Sequence, residues 1–217
     1  MIFRLYTRQA ILVAILLVWG VAPCLAHPHI LASVQVAVMY SDRAEVTAIR
    51  SSWTYDPFYA AFAKRQIDTN GDGKYSVEEL NLFAKQQMGS LREFGFFTAV
   101  EAEGTKVEFD DPADYGLKLT DDGILTLAFV LPLKKAAMLS KQFTINIFDP
   151  HFFAYFTLAD RAVYLIGAPQ GCSTTATGPK SIDLTRPRSV PASFWAALDG
   201  ATADNAEFVN RITVICK

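Results

Sequence analysis

The densest run of hard oxygen donors in the chain is Asp68-Thr69-Asn70-Gly71-Asp72-Gly73-Lys74-Tyr75-Ser76-Val77-Glu78-Glu79. Its spacing fits the twelve-position calcium loop of an EF-hand. Asp68, Asn70 and Asp72 place side-chain oxygens at positions 1, 3 and 5. Gly73 at position 6 permits the sharp turn, and the Lys74 carbonyl serves position 7. Ser76 at position 9 acts directly or through a water, and Glu79 at position 12 closes the shell with both oxygens. Three carboxylates offset much of the hydration a hard cation gives up. The alternative is a plain acidic turn between two helices.

A second set of donors is softer. The chain has three histidines, His27, His29 and His151. Neutral imidazole suits zinc, nickel, cobalt and copper. If a leader is cleaved after Ala26, His27 offers one metal both its free amine and its ring. His29 is then the third residue, as in the amino-terminal copper/nickel chelate. Pro28 has no backbone N–H, so the square-planar form of that chelate is blocked. A chelate by His27 completed by His29 or by His151 stays open, with Ni2+, Co2+, Zn2+ or Cu2+ as the candidate ion. Against it stands a solvated N-terminus and an ordinary loop histidine.

No nucleophile elbow, His-Glu-x-x-His or phosphate-cradling glycine loop occurs. Asp110-Asp111 and Asp121-Asp122 fall in turns, where carboxylates are usually solvated. The chain is therefore expected not to be an enzyme. Trp53, Tyr55, Phe58, Tyr59 and the run Phe152-Phe153-Ala154-Tyr155-Phe156 are expected mainly in the core, the alternative being a ligand groove.

The first 26 residues read as a signal peptide, with Arg4 and Arg8 ahead of the apolar stretch Ala10–Val21 and a small-residue end at Cys24-Leu25-Ala26. A retained anchor or lipidation at Cys24 are the alternatives, and Pro23 argues against the second. Export to a bacterial periplasm is expected, with no membrane insertion of the mature chain. Cleavage moves the formal charge from −2 to −4, which disfavours nucleic acid as a partner. Cys172 and Cys216 then remain, and in an oxidising compartment they most simply form one structural disulfide, with two separate buried thiols as the alternative.

The elements that must position these groups follow from periodicity. Residues 29–40 and 45–55 alternate with period two and predict an antiparallel hairpin. Asp56-Pro57 predicts a helix start, with Phe58, Phe62 and Ala63 following at helical spacing as far as Ile67. Residues 77–91 predict a second helix with Leu80, Phe83, Ala84 and Met88 on one face. Strands are expected at 96–102, 106–109, 115–119, 124–131, 143–148, 153–157, 163–166 and 211–215, an exposed loop at 171–191, and a short helix at 193–198 carrying Trp195. The expected fold is α+β: one domain over residues 27–217, a mostly antiparallel β-sandwich-like core, and an EF-hand inserted at 56–92.

Several short motifs occur in a specific order over nearly the whole mature chain. They are His27-Pro28-His29-Ile30, Trp53-Thr54-Tyr55-Asp56, the Asp68–Glu79 loop, Phe94-Gly95-Phe96-Phe97, Phe148-Asp149-Pro150, Gly167-Ala168-Pro169 before Cys172, and Asn210-Arg211-Ile212 before Cys216. In these the chain resembles a bacterial periplasmic family of unknown function, described as the periplasmic component of an uncharacterised ABC-type transport system. The resemblance implies one EF-hand-like loop and association with nickel/cobalt or zinc permeases. It implies His27 and His29 as transition-metal contacts, and Asp68, Asn70, Asp72 and Glu79 as calcium contacts. His151 stands where that family is expected to carry other residue types. The expected function is thus a metal-binding accessory protein for a membrane metal permease. Two readings compete with it: a calcium-stabilised interaction module with no transition metal, and a copper enzyme built on an N-terminal histidine brace with His151.

Overall fold

A computed structural model describes residues 30–138, 142–151, 153–179 and 208–216. The leader, His27, His29, Phe152 and the expected helix with Trp195 lie outside the described residues. Strand β1 (Ile30–Tyr40) and strand β2 (Glu45–Tyr55) form the expected hairpin, with Val34 opposite Trp53. Alternation does the work: Ala32, Val34, Val36 and Val38 are buried on one face of β1, and Ile49 and Trp53 on the same side of β2.

Helices α1 (Pro57–Ile67) and α2 (Val77–Glu93) follow, then a 3-10 turn at Gly95–Phe97. The rest is strand: β3 (Thr98–Ala102), β4 (Thr105–Val107), β5 (Ala113–Leu119), β6 (Leu125–Met138), β7 (Phe143–Ile147), β8 (Ala154–Ile166), β9 (Ser173–Thr177) and β10 (Asn210–Ile215). They form two five-stranded sheets, ordered β5-β6-β2-β1-β8 and β4-β3-β7-β10-β9. All pairings are antiparallel except β1 with β8. The helix pair is the link between β2 of the first sheet and β3 of the second.

One apolar cluster serves both sheets. Leu125, Leu127, Phe129 and Leu131 from β6 meet Phe143, Ile145 and Ile147 from β7, with Ile212 and Val214 from β10. Trp53 stands at its centre, its ring centroid 5.0 Å from Phe129, 4.9 Å from Phe156 and 6.3 Å from Phe97. Truncating such a residue to alanine costs about 3–5 kcal/mol. Asn210 bridges the two sheets: its Nδ2 donates to Ile147 O at 3.2 Å and to Phe156 O at 2.8 Å. The Cys172–Cys216 disulfide is formed and joins the residue before β9 to the residue after β10.

The structure corrects four expectations. Residues 154–157 and 163–166 belong to one strand, β8, because its pairing with β1 resumes after a register shift between Val34 and Val36. Strand β6 runs past Leu131 to Met138, since Pro132 falls where the β2 pairing shifts and needs no amide donor there. The expected 171–191 loop contains β9, whose residues are all exposed; ladder bonds to β10, rather than an apolar face, make it a strand. In α1 the buried face is Tyr59, Ala60, Ala63 and Ile67, leaving Phe58 65% and Phe62 58% exposed. Helix α2 keeps its expected face, with Phe83, Ala84 and Met88 buried and Leu80 half-buried, and Leu91 is buried with them.

Candidate metal loop

Residues 68–76 span the gap between α1 and α2, and each helix is capped at its N-terminus by a side chain. Asp56 caps α1: its Oδ1 accepts from Phe58 N at 2.8 Å and Tyr59 N at 3.1 Å, and its Oδ2 accepts from Leu31 N at 3.3 Å. This buried carboxylate ties the first helix to β1. The helices also touch through Tyr59, whose hydroxyl donates to Gln87 Oε1 at 3.4 Å. Ser76 caps α2. Its Oγ accepts from Glu79 N at 3.2 Å while Glu79 Oε2 accepts from Ser76 N at 3.0 Å, a reciprocal capping box.

The loop curls around its own carboxylates. Asp68 Oδ1 accepts from Asp72 N at 3.1 Å, and Asp68 Oδ2 from Gly73 N at 3.0 Å. Asn70 Oδ1 accepts from Asp72 N, and Asp72 Oδ1 from Lys74 N, each at 2.8 Å. Gly73 has φ 73°, the left-handed region that the turn at the sixth position requires. Tyr75 is half-buried and packs on the core, anchoring the loop to the body of the protein. Glu79 reaches back across the loop: Oε1 accepts from Thr69 N at 3.0 Å and Thr69 Oγ1 at 3.1 Å. These bonds, the Ser76 backbone N–H first and its hydroxyl next, pull the Glu79 carboxyl down to about 2, against the smaller opposing effect of burial. The group is a carboxylate at any pH near neutral.

Five of the six expected ligand residues thus fall in one tight loop between two capped helices, and the sixth, Glu79, stands in the first turn of α2 and reaches back to it. The side-chain oxygens of Asp68, Asn70, Asp72 and Glu79 accept from loop N–H and hydroxyl groups, and among the described residues no three His, Cys, Asp or Glu side chains converge on one point. Thr69 was not legible as a site residue, because its position in the loop pattern is not a ligand position; its role is to hold Glu79.

Elsewhere, His151 is exposed in the turn before β8. Asp149 builds that turn: its Oδ1 accepts from His151 N at 2.8 Å and its Oδ2 from Ala154 N at 2.9 Å. Asp111 pairs with Arg92 at 2.6 Å on the surface, and Asp122 bonds the Thr120 hydroxyl within its turn. Of the aromatics, Trp53, Tyr55, Tyr59, Tyr155 and Phe156 are buried. Phe58, Phe62 and Phe153, with Ile30 and Gln87, border a surface groove of about 560 Å³.

Comparison with curated proteins finds no match. A family model described as a protein of unknown function (DUF1007) matches residues 12–216, a span that takes in the loop, all three histidines and both cysteines of the disulfide. The chain belongs to the DUF1007 family.

Proposed function

We propose that this chain is an exported metal-binding accessory protein that serves a membrane metal-transport system. One calcium ion binds at the loop, held by Asp68, Asn70, Asp72, the Lys74 carbonyl, Ser76 and Glu79. A transition metal (nickel, cobalt, zinc or copper) binds at His27 and His29 of the processed chain. The observation that carries the calcium assignment is the loop itself. An all-oxygen donor set with three carboxylates at EF-hand spacing lies between two capped helices, with glycine in the left-handed conformation at the sixth position. The donor set fits a hard divalent cation and has no soft ligand. Bound calcium supplies charge neutralisation to the loop. The protein's own part is to keep Glu79 ionised and to hold both helix ends at fixed separation.

The disulfide supports an oxidising compartment. No helix among the described residues is long and apolar enough to cross a membrane. Native mass spectrometry of the protein, first with calcium and then with each transition ion, tests the proposal. One calcium lost on Asp68→Ala, plus one transition ion lost on changing His27 and His29 together, is the expected result. Absence of any calcium adduct at millimolar calcium refutes the loop assignment.

A second reading has one observation in its favour. The exposed aromatics around the 560 Å³ groove suit a calcium-stabilised interaction module without a transition-metal role. That reading requires partner binding to survive His27→Ala with His29→Ala.

A further inference from the structure

Two surface grooves share the same two walls. The first is the groove bordered by Phe58, Phe62 and Phe153, with Gln87 and Ser90 of α2 in its lining. The second, of about 480 Å³, is lined by Arg92 and Phe94 at the end of that helix, by Phe148 and Pro150 of the β7–β8 link that also carries Phe153, and by Asp111. From Gln87 to Phe94 the helix advances about 10 Å. The grooves therefore lie end to end along α2 and the β7–β8 link. Local structure explains why their rings face outward. Helix α1 is apolar on both sides, with Tyr59, Ala60, Ala63 and Ile67 buried and Phe58, Ala61 and Phe62 exposed. A helix apolar all round is ordinarily covered all round. At the second groove Gly95, Phe96 and Phe97 have φ 56°, 56° and 48°, a left-handed run that glycine adopts freely and phenylalanine does not. The buried rings of Phe96 and Phe97 hold that run in place. It leaves Phe94 49% exposed and stacked on Phe97, with ring centroids 5.4 Å apart. Backbone strain of this kind gathers at ligand clamps.

We infer that the two grooves form one docking track for a short peptide segment of a partner protein. Its apolar residues lie over Phe58, Phe62 and Phe153, and its polar or charged residues over Arg92 and Asp111. The inference rests on the interaction-module reading above and deepens it by naming the form and chemistry of the partner. Area argues against a second copy of this chain. Phe58, Phe62, Phe94 and Phe153 are 65%, 58%, 49% and 47% exposed. At about 200 Å² for a whole ring they offer about 440 Å² together, against about 800 Å² a side in a stable interface. Polarity argues against a lipid surface. Acyl chains offer no partner to the Gln87 amide, the Ser90 hydroxyl or the Arg92–Asp111 pair, and covering such groups without hydrogen bonds is unfavourable. A peptide brings one backbone acceptor per residue and, except at proline, one donor. Charge sets the direction. No charged side chain lines the first groove, whereas Arg92, Lys106, Glu108, Asp110 and Asp111 line the second.

The test selects a phage-displayed library of random peptides on the exported protein, with calcium and with chelator. The enriched peptides are then made, labelled, and titrated by fluorescence anisotropy against wild type, Phe62→Ser, Phe58→Ser and Phe94→Ser. Circular dichroism and the thermal midpoint check that each variant is folded. The expected result is enriched peptides with apolar residues at one end, whose affinity falls at least about tenfold in Phe62→Ser and also in Phe94→Ser. Loss in only one of those two variants overturns the shared track. Binding that survives both overturns the inference and leaves an interaction module standing on another face. No enriched peptide, with or without calcium, overturns both. Sedimentation velocity and pelleting with phosphatidylglycerol–phosphatidylethanolamine vesicles cover the other occupants. A dimer, or vesicle binding, that Phe62→Ser and Phe94→Ser abolish assigns the track to a second copy or to lipid and overturns the peptide assignment.

Discussion

Calcium should raise the thermal stability of this protein through the loop, and Glu79→Gln should abolish most of that gain without unfolding α2. Single EF modules outside cells bind calcium at about 10⁻⁴–10⁻³ M. At 10 mM calcium, ligation to the native state alone then adds about 1.4–2.7 kcal/mol. For a domain of this size that corresponds to a rise in Tm of about 3–10 °C. The structure separates two roles of Glu79. Its Oε2 accepts from Ser76 N to close the capping box, which a glutamine side chain can also do. Its second oxygen, which now bonds Thr69, and its negative charge are what position 12 needs for calcium. Glu79→Gln should therefore lose the calcium-induced rise, while the calcium-free Tm falls only by what the lost carboxylate bonds to Thr69 contributed. Differential scanning calorimetry with calcium and with chelator measures both. A Tm rise of the same size in Glu79→Gln and in Asp68→Ala would refute the reasoning, because the stabilisation would then come from elsewhere.

Reducing the disulfide should destabilise the fold by about 4 kcal/mol on loop-closure entropy, given the 44-residue separation of Cys172 and Cys216. Urea unfolding with and without reductant reads this, and a loss under about 1 kcal/mol would mean the reduced chain keeps those ends together. Asn210→Ala should cost about 2–4 kcal/mol, because it strips the donor from two buried carbonyls in different sheets; the urea midpoint measures it, and a neutral result would show the carbonyls find other donors. Glu79 also predicts a pH dependence. Its folded-state pKa, about 2, lies below the ordinary 4.5, so its contribution is complete above about pH 4.5 and disappears as pH falls towards 2. In calcium-free protein Glu79→Gln should flatten the fall in urea midpoint across that window, and an unchanged slope would exclude Glu79 as its source.

The hairpin β1–β2 was legible because its alternation is strict and both faces differ. The start of α1 was legible because Asp56-Pro57 is a local signal whose bonds close within four residues, and α2 was legible from the helical spacing of Leu80, Phe83, Ala84 and Met88. What stayed hidden was set by partners distant in sequence. The continuity of β8 depends on β1, whose partners lie 124 positions away before the register shift and 127 after it. Strand β9 has no apolar face at all and exists by its ladder to β10. The exposure of Phe58 and Phe62 could not be read because Tyr59, Ala60, Ala63 and Ile67 offer α1 an adjacent face of equal merit, and only the position of the core decides between them. At the candidate sites the loop was legible residue by residue, whereas Asp149 and Thr69 act through backbone contacts that leave no spacing signature.

The strand order also governs when this chain can fold. The first strand is not an edge: β1 lies between β2 and β8. Nor is the last, since β10 fills the gap between β7 and β9. A chain synthesised or threaded N-terminus first cannot close its first sheet until Ile166 has emerged, nor its second until Asn210–Ile215 has. Contacts so distant in sequence make folding slow relative to local structure formation. The polypeptide should therefore stay open and unfolded until most of it has emerged, and a chain cut just before Asn210 should release β9 and expose the inner face of β7 rather than leave a smaller folded unit.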